Sequence, residues 1–177
     1  MAVTPPVLIQ PYSDSSAMLV LSRLDPMDHI EAEQFRGRHV DRLELFADWR
    51  AMNAARVVSL VLCTGSEAAP IPFAVLGLSL TGQAGVAQAA LLARNHVKFR
   101  RPLITAGAEI RGRLPAFCEE NNIYRIEVRS WGGHPRAARF LTLCGFQHEI
   151  EMPGFGGASG TTFHQFAWTQ ATPEKEI

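Results

Sequence analysis

The densest group of reactive side chains in the chain is the run RNHVKFRRP, Arg94 to Pro102. Arg94, His96, Lys98, Arg100 and Arg101 place five potentially cationic groups within eight residues, and no acidic residue stands between Leu80 and Glu109. Arginine and lysine make charge-assisted hydrogen bonds to phosphate, so the run could hold a phosphorylated ligand. It could equally be a solvated basic loop or a contact for another protein. Nucleic acid is not expected as a partner: the run is short, only Phe99 could stack on a base, and Lys plus Arg equals Asp plus Glu at 17 each. His96 and His134 are residues that can take or give a proton near neutral pH. His134, between Gly133 and Pro135, could also simply cap a helix. Cys63, Cys118 and Cys144 are odd in number, widely spaced and flanked by apolar residues, which predicts reduced core thiols with neither a disulfide framework nor a metal site. The segment GFGGASG, Gly154 to Gly160, lacks the G-x-G-x-x-G spacing of a dinucleotide fingerprint and reads as a connection between two strands.

The elements that must carry these groups read as a mixed pattern. An apolar run from Met18 to Leu24 predicts a strand, and Asp25-Pro26 then supplies an N-cap and a proline at the first helical position. A second helix is predicted with Val40, Leu43, Ala47 and Arg50 on one face, Phe46 and Trp49 beside them. Three strands follow, 57 to 63, 72 to 80 and 85 to 93, separated by turn-rich segments. Leu103, Gly107, Ile110, Leu114 and Phe117 repeat at helical spacing, so 102 to 121 is predicted as a helix bent at Pro115. Tyr124 to Trp131 alternates like a strand with one buried face, which turns Glu127 away from Ile126 and Val128. A helix from Arg136 to Leu143 ends at Gly145, and strands 146 to 152 and 161 to 169 close the chain. The predicted order is βααβββαβαββ: one α/β (α+β) domain over 1–177, with a central mixed sheet of six or seven strands, an N-terminal extension of 1–17 and a tail of 170–177.

At 177 residues, 47% hydrophobic and 19% charged, the composition is that of a globular domain able to bury a sizeable core. No stretch has the length of a membrane span. The start, MAVTPPVLIQPYSDSS, has no basic region ahead of an apolar run, so no secretory signal is expected and a cytoplasmic location follows.

That element order, closing in strand, HPRAARFLTLCGF and a strand pair, resembles the GNAT (Gcn5-related N-acetyltransferase) superfamily. The late motif of that family reads approximately Asn-x-x-Ala-x-x-x-Tyr-x-x-x-Gly-Phe, and His134, Ala137, Leu141, Gly145 and Phe146 stand at its spacings. LSRLDPMDHIEAEQFRG at the front is similar to the start of GNAT-like proteins of tailed phages, some of them internal virion proteins, which also tend to carry a leucine at the tyrosine position.

The resemblance implies acetyl-CoA as cosubstrate, lying where two parallel strands part, here 85 to 93 and 124 to 131. It implies a cofactor site of Leu91, Leu92, Ala93, Arg94, Lys98, Phe99, Arg100 and Arg101, with a backbone N–H near Leu92 or Ala93 on the thioester carbonyl. The family's glycine-rich phosphate loop reads RNHVKFRRP here, so arginine side chains would have to replace close backbone approach. The family's glutamate base corresponds to Gln88, which could only order a water, and its tyrosine acid corresponds to Leu141. His134 and Gln88 are therefore the catalytic candidates. Two roles remain open: acetyl transfer to an amine of a small molecule or protein, or a non-catalytic GNAT-like component of a virion or other assembly.

Overall fold

The computed structural model describes residues 6–157 and 160–170. Its centre is a seven-stranded sheet in the order β1-β2-β3-β4-β5-β7-β6. The strands are β1 (Leu8–Pro11), β2 (Arg56–Ser66), β3 (Ala69–Leu80), β4 (Val86–Ala93), β5 (Arg125–Trp131), β6 (Gln147–Met152) and β7 (Phe163–Thr169). All neighbours are antiparallel except β4 and β5. The parallel pair requires a crossover, which is α4 (Arg100–Glu120). With α5 (Ala137–Leu143), α4 covers one face of the sheet. Helices α1 (Asp14–Leu21), α2 (Pro26–Arg36) and α3 (Arg42–Ala51) cover the other.

Two expectations at the front of the chain fail, and for the same reason. The run from Met18 is helical: Ser13 caps α1 by accepting the Ser16 N–H, and Ala17, Val20 and Leu21 bury one face against the sheet. A short apolar run fits strand and helix periods alike, and packing on β3 and β4 selects the helix. The first strand is instead Leu8–Pro11, so residues 8–17 of the expected extension supply a sheet edge and the start of a helix. The helical order before β2 therefore has three members rather than two. In α3, Leu45 and Trp49 are the buried residues while Leu43 is 65% exposed, so the predicted stripe through Leu43 and Ala47 is the wrong face. Asp41 accepts the Glu44 N–H and fixes the helix start, which sets that face. Of the predicted tail, residues 171–177 lie outside the described residues.

The remaining elements match within a few residues. Helix α4 continues through Pro115 to Glu120, and its stripe packs as expected: Leu103 on the cluster that holds Phe73 and Ala74, and Ile110, Leu114 and Phe117 on the one that holds Ile126 and Phe146. Tyr124, predicted inward, is 61% exposed because β5 begins only after it. Gly145, at φ +96, ends α5 in the left-handed region that glycine enters without a Cβ clash. The three cysteines are free and buried.

Candidate functional site

Strands β4 and β5 pair only at Val86–Arg125, Ala87–Ile126 and Gln88–Glu127. Beyond those residues a cleft opens between Ala89–Ala93 and Val128–Trp131. Alternation decides what faces it: the Arg94 N–H bonds Phe73 of β3, so Ala93 and Leu91 turn their N–H and C=O groups toward the cleft. On the face of α4 and α5, an apolar cavity of about 540 Å3 adjoins it. Ala89, Leu91 and Val128 line that cavity with Ile110, Phe140 and Leu141.

Helix α2 lies across the other face of the cleft, and three carboxylates spaced three residues apart tie it there. Asp25 caps the helix through the Met27 N–H at 2.9 Å and accepts the His96 N–H at 2.7 Å, while its own N–H donates to the Ala93 carbonyl at 2.9 Å. Asp28 accepts the Ala93 N–H at 2.7 Å on one oxygen and meets the Nε2 atoms of His96 and His134, each at 3.0 Å, on the other. Glu31 accepts the Trp131 N–H at 3.2 Å. The helix thus bridges the ends of both parted strands. The Ala93 N–H, expected to face a thioester carbonyl, is held by Asp28; Leu91 carries the cleft-facing N–H that remains on β4.

The electrostatics of the three acids differ. Burial alone would raise the Asp28 carboxyl, but hydrogen bonds from His134 and His96, the charge of His96 and the Ala93 N–H hold it below the usual carboxylate range. Glu31 goes the other way: burial and the neighbouring Asp28 charge push it up to about 7, against the pull of His134, the Trp131 N–H and Ser130. A carboxyl in that range at a cleft mouth is matched to proton transfer at neutral pH. Burial lowers the affinity of His134 for a proton, but its hydrogen bond to Asp28 and the charges of Glu31, Asp28 and Asp25 outweigh it and the net direction is upward.

Asp28, His96 and His134 bring three atoms of metal-ligand type within 4.8 Å of one another. The hydrogen bonds argue for a proton instead of an ion. His134 Nδ1 accepts the N–H groups of Arg136 at 3.2 Å and Ala137 at 3.0 Å, so its ring proton sits on Nε2, facing Asp28. A metal-bound Nε2 calls for the opposite tautomer, with Nδ1 donating outward. His134 is therefore both the cap of α5 and a donor that locks Asp28.

The expected phosphate loop is built differently from a backbone cradle. The N–H groups of His96, Lys98, Phe99 and Arg100 go to Asp25, Asn95 Oδ1 at 2.9 Å, the Asn95 carbonyl at 3.0 Å and the Val97 carbonyl at 3.4 Å. Phe99 is buried and stacks on Phe73 with ring centroids 5.8 Å apart. Arg94 donates to the Pro72 carbonyl at 2.6 Å and lies over the Phe99 ring. These two side chains hold the loop in place. Lys98, Arg100 and Arg101 are the exposed charges at the start of α4.

Gln88 occupies the last paired position of β4, opposite Glu127, ahead of the cleft mouth. Glu127 faces away from Ile126 and Val128 as expected and is held by Arg125 at 2.7 Å. Burial raises the Cys144 thiol to about 12 and leaves it unreactive. Sequence reasoning missed Asp25, Asp28 and Glu31 as a set. Their spacing along one face of the helix that begins at Asp25-Pro26 was the available signal.

No protein-family model matches the sequence, and no curated protein matches it. Solved structures do. A GNAT-family acetyltransferase from Bacillus anthracis superposes with a TM-score of 0.68 at 11% identity, covering 94% of this chain and 96% of that one. Spermidine N-acetyltransferase from Vibrio cholerae, solved with CoA and spermine, gives 0.68 at 11% identity over 93% and 95%. An aminoglycoside acetyltransferase solved with coenzyme A gives 0.61 at 12% identity over 93% and 95%. The fold of this chain is the GNAT fold: a mixed seven-stranded sheet flanked by helices, with its parallel pair at β4–β5.

Proposed function

We propose, with the GNAT fold as premise, that the protein transfers an acyl group from acetyl-CoA to an amine at the β4–β5 cleft. The observation that carries this reading is Glu31: a carboxyl pushed up to about 7, hung from the Trp131 N–H at the mouth of the parted strands. The arm of acetyl-CoA would lie in the apolar cavity between α4 and α5, and Lys98, Arg100 and Arg101 would meet its phosphates through side chains. The Leu91 N–H offers a donor to the thioester carbonyl. Glu31 takes the proton that makes the amine nucleophilic; the new C–N bond forms, the C–S bond breaks, and the CoA thiolate leaves to be protonated by water. Leu141 supplies no proton at that step, so positioning within the cleft carries most of the rate.

The test is calorimetry with acetyl-CoA, followed by an assay of CoA release with primary amines. Binding at submillimolar concentration is expected, with Glu31→Gln lowering kcat/KM by about 10²- to 10⁴-fold. No binding at millimolar acetyl-CoA would overturn the proposal. A second reading, a non-catalytic GNAT-like component of a virion or other assembly, draws support from one observation: the loop N–H groups of His96, Lys98, Phe99 and Arg100 are already bonded within the chain. On that reading the protein is found in purified particles at a fixed copy number.

A further inference from the structure

On the side of the cleft covered by α2, Arg129 has no counter-charge among the described residues. Arg129 lies on the face of β5 that carries Glu127 and Trp131, since Ile126 and Val128 fill the opposite face. Two carboxylates of the sheet are taken: Arg125 holds both Glu127 and Glu149, and Gln165 adds a second bond to Glu149 at 3.4 Å. Among the described residues the Arg129 side chain makes no ion pair and no hydrogen bond, and its Nε is fully buried without a partner. Its guanidinium instead lies over the Phe155 ring, 5.4 Å from the centroid. A half-buried arginine with no counter-charge is a costly arrangement, and a ligand oxyanion at its terminal nitrogens offsets the cost.

The surroundings join this cation to the Glu31 end of the cleft. Phe155 sits 5.6 Å from Phe35, which is one helical turn beyond Glu31 on the same face of α2. Glu31 in turn accepts the N–H of Trp131, two residues beyond Arg129 and roughly 6–7 Å along the strand. Glu31, Phe35, Phe155, Arg129 and Trp131 therefore form a closed circuit of neighbours with an acid at one side, a free guanidinium at the other and aromatic rings between. Gly156 fixes that geometry: at φ +93, a Cβ there would collide with the Gln34 carbonyl, so the β6–β7 loop rests directly on the end of α2.

We infer that this circuit seats an acceptor that carries a carboxylate as well as an amine, the α-amino acid class, with Arg129 holding the carboxylate. The two terminal nitrogens of the guanidinium over Phe155 are unbonded among the described residues, and that pair can make the parallel N–H···O bonds that a carboxylate accepts. Placement of the amine beside Glu31 rests on the acyl-transfer reading; capture of the carboxylate by Arg129 does not.

The experiment is a calorimetric comparison, without acetyl-CoA, of L-phenylalanine with phenethylamine, which keeps the ring and amine but lacks the carboxylate. L-Phenylalanine is expected to bind at least about tenfold more tightly. Arg129→Gln is expected to abolish that preference, and Arg129→Lys to retain only part of it, with circular dichroism checking that each variant is folded. Equal affinities in the unaltered protein, binding of neither compound, or a preference that persists in Arg129→Gln would each overturn the inference. If the Arg129-dependent preference is found but acetyl-CoA does not bind at millimolar concentration, the acyl-transfer reading fails and the carboxylate site stands.

Discussion

Replacing Glu31 by glutamine separates a raised carboxyl from an ordinary one through stability alone, without reference to any substrate. The carboxyl sits at about 7 in the folded chain against an ordinary value of 4.5. A group whose folded pKa is raised contributes its full relative stability below the unfolded value and loses it as pH rises through the folded value. The folded protein should therefore weaken between about pH 4.5 and 7 and stay weakened above. Each pKa unit corresponds to about 1.4 kcal/mol, which caps the effect at about 3.5 kcal/mol, and partial exposure of Glu31 reduces it to about 1–3 kcal/mol. The amide introduced by Glu31→Gln is uncharged throughout and can still accept the Trp131 N–H, so the variant should gain on the wild type across that window. For a domain of this size the gain is about 3–10 °C in Tm at pH 8 and close to nothing at pH 4.5. Thermal melts of the two proteins from pH 4.5 to 8 measure it. Parallel profiles would refute the burial argument and remove the case for Glu31 as a base.

His134→Ala should cost about 2–4 kcal/mol in urea titrations, because it removes the acceptor for two N–H groups at the start of α5 and a donor to the buried Asp28. His134→Asn should cost clearly less, since its amide can keep the cap; equal losses would show that the ring is needed for its shape alone. Changing Arg100 and Arg101 together to Ala should weaken acetyl-CoA binding about tenfold or more, and unchanged affinity would mean that this loop does not meet the phosphates. Cys144, raised to about 12 by burial, should resist iodoacetamide at pH 8 in the folded protein and react in urea, as read by intact-mass spectrometry.

The second half of the chain is legible in the sequence because its signals are local. Apolar alternation, the helical stripe from Leu103 to Phe117 and the stop at Gly145 each depend on a few neighbouring residues, and each element forms where they place it. The same features carried the resemblance to the GNAT fold. The front was less legible: the apolar run from Met18 satisfies two periods at once, and only packing on β3 and β4 makes it α1. His134 shows both cases in one residue. Its place before a helix announced the cap, whereas its bond to Asp28 joins positions 106 residues apart.

The candidate site shows the same division more sharply. Leu141, Gln88 and Phe99, at the positions where the resemblance implies a proton donor, a base and a glycine loop, are matters of residue type, legible before any folding. Packing makes Phe99 a core residue, bonds four of the loop N–H groups within the chain, raises the Glu31 carboxyl to about 7 and leaves Arg129 with no counter-charge among the described residues. Proton affinity and charge balance belong to surroundings, not to residues. A carboxyl on an exposed helix and one pressed against the ends of two parted strands have the same letter in the sequence, and folding alone brings α2 to that cleft.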